Sequence, residues 1–198
     1  MNLSAAFGAA VGVGASTYLS VKLGQKDYKT AETILGNSVT LNIIIGVAFS
    51  VVCLLFLDPI LRFFGASDQT IAYARDYMVI ILVGNVFSHM YFGMNAVLRA
   101  AGKPRHAMFA TIFTVVLNTV LDPIFIWPLN LGIQGAAYAT ILAQMIALVW
   151  QFRIFCDSRE LLHLKRGIYQ LRGYIVKNII AIGISPSVSY THLRAHET

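Results

Sequence analysis

Five apolar stretches of roughly bilayer-crossing length constrain this 198-residue chain more than any other feature. They cover residues 3–21, 37–57, 77–98, 107–127 and 135–152, and a sixth opens at 175–186. A membrane helix needs about 20 consecutive apolar residues. Barrel strands would alternate apolar and polar over about ten residues, whereas these runs are apolar throughout. The expected fold class is therefore an all-α integral membrane protein, a multi-pass helical bundle. Composition agrees: 12% of residues are charged, about half of what a soluble domain carries, and mean hydropathy is +0.68. Cys53 and Cys156 suggest neither a disulfide framework nor a metal site.

The net charge of +6 points to lipid rather than nucleic acid, because of where it sits. Lys22, Lys26 and Lys29 follow the first span, and Arg99, Lys103 and Arg105 follow the third. Arg153, Arg159, Lys165, Arg166, Arg172 and Lys177 follow the fifth, while the opposite side has only Arg62 and Arg75. Basic residues collect on the cytoplasmic side of membrane proteins, so the first span is expected to run inward, in the cytoplasmic membrane. A chain that begins outside reads as a fragment lacking an earlier span. Residues 1–152 would then form five transmembrane helices. Residues 153–174 would form a cytoplasmic amphipathic connector lying on the inner surface, and 175–187 the start of a truncated sixth helix. The tail 188–198 (VSYTHLRAHET) resembles one translated frame of a common transposase-type sequencing-library adapter. His192 and His196 there are excluded from fold and metal reasoning, as any non-native scar would be.

The apolar spans carry few polar groups, and their spacing is informative. On the fourth, Thr111, Thr114, Asn118 and Asp122 fall three, four and four apart, which puts them on one helix face. That narrow stripe is expected to face the bundle interior. Asp122 is the sharpest signal, since a carboxylate in hydrocarbon costs at least a few kcal/mol and marks a functional site by default. The plain alternative is an Asp-Pro helix end reaching the headgroups. On the fifth span, Thr140 and Gln144 lie one turn apart. Counting 1.5 Å per residue from the outer ends, Asp122 and Thr140 both sit about 7–8 Å below the surface. A short turn joins the two spans, so they should be neighbours. An Asp, an Asn and a Thr at one depth make an oxygen-rich cage suited to a hard monovalent cation or to a proton, with plain interhelical hydrogen bonding as the alternative. Asn85 and His89 share a face of the third span and, with Thr111, Thr114 and Gln144, are candidate pathway-lining groups; the plain alternative for His89 is a histidine hydrogen-bonded within the bundle. No nucleophile–base set or metal-ligand set is visible, so an enzyme is not expected.

Four runs, GVGASTYLSVKLG (12–24), LRAAGK (98–103), NTVLDP (118–123) and GIQGAAYATILAQ (132–144), resemble the multidrug and toxic compound extrusion (MATE) family. The resemblance covers about residues 6–186. It implies two six-helix lobes facing a cleft, and exchange of organic cations or drugs for Na+ or H+. The five spans would be helices two to six of the first lobe, most of that lobe. Asn118, Asp122 and Thr140 would fall in its cation site, with no cofactor beyond the coupling ion. The family's first helix, which often adds an acidic residue to that site, and its second lobe are not represented here. A lipid-linked oligosaccharide flippase of the same superfamily would need a cationic cleft, and the span centres hold no Lys or Arg. A purely structural subunit would leave Asp122 unexplained. Cysteines placed at Gln25, Lys103 and Ser158 are expected to resist membrane-impermeant labelling from outside intact cells. Outside labelling at any of them contradicts this topology.

Overall fold

In hydrocarbon every backbone N–H and C=O must be satisfied within the protein, which leaves the helix as the economical state for an apolar run. The computed structural model describes residues 3–65, 67–128, 130–156, 162 and 168–183. Its helices are α1 (Leu3–Gly24), α2 (Tyr28–Leu55), α3 (Leu57–Phe63), α4 (Ile71–Ala100), α5 (Pro104–Ile126), α6 (Gly132–Cys156) and the shorter α7 (Gly173–Gly183). No strand occurs among the described residues. By length and composition α2, α4, α5 and α6 can each cross a membrane. At 22 residues, α1 would be about 33 Å long. The fold is that of an all-α integral membrane bundle, as the apolar runs imply.

At two places local hydrogen bonds, not hydropathy, mark where a helix begins or ends. Tyr28 opens α2 nine residues before the apolar run, behind Asp27, whose carboxylate accepts the Thr30 N–H at 3.2 Å. The hydrogen bonds from Thr30 hold the Asp27 carboxyl below its ordinary pKa. At the end of α4, Gly102 adopts φ +79°, and its N–H reaches the Arg99 carbonyl at 3.2 Å. Lys103 N–H closes on the Leu98 carbonyl at 3.0 Å, and Pro104 then starts α5. The short α3 follows α2 directly, and its Leu57 and Leu61 are buried against the bundle.

The bundle is organised around α4, which packs against α1 and α2 on one side and α5 and α6 on the other. Among the described residues the backbones of α1 and α2 lie on the far side of α4 from those of α5 and α6. Helices in lipid gain little from hydrophobicity alone and associate through close backbone approach at small residues. The sharpest approach is at Gly14: a Cβ there would lie 1.9 Å from the Ile179 carbonyl oxygen, so α1 and α7 cross in bare backbone contact.

The connector expected at 153–174 is corrected at both ends. Residues 153–156 complete α6, and 168–172 form a turn held against α2. Asn37, fully buried on α2, donates to the Ile168 and Gln170 carbonyls at 3.3 and 3.1 Å and accepts the Arg172 N–H at 2.8 Å. Thr40 adds a bond to the Tyr169 carbonyl at 3.0 Å. The intervening residues, apart from Leu162, and the tail 188–198 lie outside the described residues. Gly14→Val should cost about 1–3 kcal/mol through overpacking. Asn37→Ala should cost a similar amount, roughly 1–3 kcal/mol, by stranding buried backbone groups. Melting of the detergent-solubilised chain is the check: both should melt lower, while Gly24→Ala, with open space around it, should not.

Candidate functional site

The turn between α5 and α6 sets the site's geometry. A Cβ on Gly135 would meet the Phe125 carbonyl oxygen at 2.7 Å, so only glycine lets the two helices close this tightly. The hairpin that follows brings Asn118, Asp122 and Thr140 to one level, as their spacing predicts. Asn118 Nδ2 donates to Asp122 Oδ1 at 3.0 Å and to Thr140 Oγ1 at 3.2 Å. Thr140 spends its own hydroxyl proton on the Ala136 carbonyl, 2.9 Å away, so the lone pair faces Asn118. A single NH2 group therefore bridges two oxygens from opposing helices. Rotating that amide by half a turn would present its carbonyl oxygen instead. The oxygens of Asn118, Asp122 and Thr140 could then surround one positive centre.

Asp122 is half-buried, and no Lys, Arg or His forms an ion pair with it among the described residues. The helix does not end there: α5 runs through Pro123 to Ile126. Proline lacks the N–H that would bond to the carbonyl four residues back, so the Thr119 carbonyl beside Asn118 loses its usual helical partner. No group of three His, Cys, Asp or Glu residues suited to a metal ion occurs among the described residues. The site's chemistry is thus oxygen-rich and carries one carboxylate.

The other polar candidates lie apart from this cluster. Thr114 is buried but bonds its own helix at the Ala110 carbonyl, 2.8 Å away. Thr111 is exposed and meets Asn95 of α4, whose amide donates to it at 3.2 Å. The α5 stripe therefore does not face the bundle interior along its length as expected. The reason is packing: among the described residues α5 lies against α6 and part of α4, and most of its surface stays exposed. Gln144 of α6 accepts a hydrogen bond from Ser88 of α4. Asn85 reaches Ser50 of α2 at 3.4 Å, on another flank of α4. His89 is buried there, with no protein partner for either ring nitrogen. Ser88 and Ser50 are legible in the sequence only as polar residues in apolar runs. An open groove of about 330 Å³ between α1 and α4, lined by Ser16, Thr17, Ser20 and Arg99, contains none of the cluster residues.

The MatE family profile matches residues 1–124. The chain belongs to the MatE family. The multidrug export protein MepA of Staphylococcus haemolyticus is 32% identical over 179 residues, which are 90% of this chain and 40% of that protein. An inward-facing structure of a multidrug resistance MATE family transporter of the MOP superfamily is 29% identical, with a TM-score of 0.85. It aligns with 90% of this chain and 41% of its own. An outward-facing structure of a multidrug resistance MATE family transporter is also 29% identical with TM-score 0.85, over 94% and 42%. The chain thus spans about two-fifths of the length of these relatives. Gly135→Val in this MatE hairpin should splay α5 from α6. Disulfide formation between cysteines placed at Asn118 and Thr140 reports it, and is expected to fall well below that of the Gly135 parent.

Proposed function

We propose that the whole protein to which this sequence belongs exports organic cations or drugs across the cytoplasmic membrane, driven by Na+ or H+ entering at Asp122. The observation that carries this reading is the Asn118 amide held between Asp122 Oδ1 and Thr140 Oγ1. Two oxygens that already converge on a positive hydrogen-bonding group are pre-positioned for a cation, and a protonated Asp122 could donate within the same cluster. The likeness to MepA, a multidrug export protein, supports the substrate class. The equal likeness to inward- and outward-facing structures supports a lobe that moves as a rigid unit. A driving ion shifts two access states only through unequal binding to them, and Asp122 is the carboxylate at which that difference would act.

The flippase reading is weaker, because no basic side chain occupies the span centres to bind pyrophosphate. In the whole protein, Asp122→Asn should abolish ion-gradient-driven substrate uptake into proteoliposomes while abundance stays near wild type. Removing a costly buried charge should ease insertion rather than hinder it. Asn118→Ala and Thr140→Ala should each give partial loss, since each deletes one neutral oxygen. Repeating the assay with a Na+ gradient alone and with an H+ gradient alone identifies the ion. Wild-type coupling in Asp122→Asn at matched protein level would overturn the assignment.

A further inference from the structure

The interface between α2 and α4 is lined by polar residues that the Asp122 cluster does not use. On α2, Ser38, Asn42, Gly46 and Ser50 repeat every four residues, and all are buried. On α4, Asn85, His89 and Gly93 face them. A Cβ on Gly46 would lie 3.5 Å from His89 Cβ, and one on Gly93 would meet the Asn42 amide. Asn42 is one turn from Gly46, and His89 one turn from Gly93, so the two side chains flank the same stretch of the seam. His89 is 2% exposed and Asn42 1%.

The hydrogen bonding at this place is incomplete within the protein. Asn42 Nδ2 donates to the Ser38 carbonyl at 2.8 Å, but Asn42 Oδ1 has no partner. Neither His89 Nδ1 nor Nε2 has one. The neighbouring polar groups are already committed: Ser50 Oγ donates to the Leu82 carbonyl at 2.7 Å and accepts from Asn85. A neutral imidazole has one donor and one acceptor nitrogen, and an amide oxygen only accepts. The two ring nitrogens point away from each other, so what fits is more than one small molecule, between them donating to Asn42 Oδ1 and one ring nitrogen and accepting from the other. A metal ion would take lone pairs from Asn42 Oδ1 and one ring nitrogen, but residues 33–57 and 77–121 contain no Asp or Glu to balance its charge, and a carboxylate cannot supply the two donors. Water can do both, and buried water characteristically bridges two to four such groups.

We propose that Asn42 and His89, brought together where Gly46 and Gly93 let α2 and α4 approach closely, form an internal water-binding site between the two helices. The Phe49 ring, its centroid 6.4 Å from that of His89, packs beside the imidazole. The site lies on a different flank of α4 from the Ser88–Gln144 contact. Thr140 is one turn outward of Gln144, which puts His89 about 6 Å further toward the basic end than the Asp122 cluster. This inference does not rest on coupled transport, and it is tested on this chain alone.

The experiment is water-edited solid-state NMR on the chain, 15N-labelled at histidine, in nanodiscs of phosphatidylcholine and phosphatidylglycerol. The His89 imidazole is expected to show a cross peak from water that is absent in His89→Gln. If that variant does not fold, the peak is assigned instead in a chain whose other histidines are replaced (His106→Gln, His163→Gln, His192→Gln, His196→Gln). Asn42→Leu, which removes the acceptor and fills the space, is expected to lose the water peak while keeping the imidazole signal. A folded wild-type chain whose His89 shows no transfer from water overturns the proposal. So does transfer undiminished in folded Asn42→Leu. Should Asn42→Leu not fold, the wild-type cross peak decides alone.

Discussion

Every polar group placed in hydrocarbon must find its partner inside the protein, and most of this bundle's specific features follow from that demand. Apolar side chains are as content with lipid as with each other, so they do not dictate which helix sits beside which. Partner choice falls to glycines that allow backbones to touch and to a few amides and hydroxyls that cannot be left alone. Helix α4 is central because it offers such groups on several flanks: Gly84 and Ser88 to α6, Asn95 to α5, and Asn85, His89 and Gly93 to α2. Its length of 30 residues lets it do so over the whole depth of the bundle.

The Asp122 cluster is a special case of the same demand. Among the described residues its carboxylate meets one amide donor, and that donor also serves the threonine opposite. Such an arrangement is underfilled by the standards of a structural hydrogen-bond network, in which each oxygen would collect its own donors.

What can be read from the sequence follows the range of the interactions involved. Spans are legible because apolar runs persist for the thickness of a bilayer. Asn118, Asp122 and Thr140 are legible because two sit four apart on one helix and the third is fixed by a tight turn. Helix ends are hidden where a polar cap extends the helix beyond the hydrocarbon, as Asp27 does for α2. Contacts between residues far apart in sequence are not legible: Asn37 grips a carbonyl 131 residues away, and nothing in either segment announces the other. The surface position of Thr111 likewise depends on which neighbours α5 has, a property of the assembly and not of the helix.

The grip of Asn37 and Thr40 on residues 168–172 has a mechanical consequence. The segment leading into α7 is fastened to α2 just before α7 begins, and α7 is fastened again where its backbone meets Gly14 of α1. Covalent continuity between α6 and α7 is then not what keeps α7 in place. A chain cut between Cys156 and Ile168 would remain one particle, its two pieces held by the hydrogen bonds of Asn37 and Thr40, by Ile175 and Ile179 buried in the core, and by one bare backbone crossing. Force applied through that stretch would be borne by α2 before it reached α7.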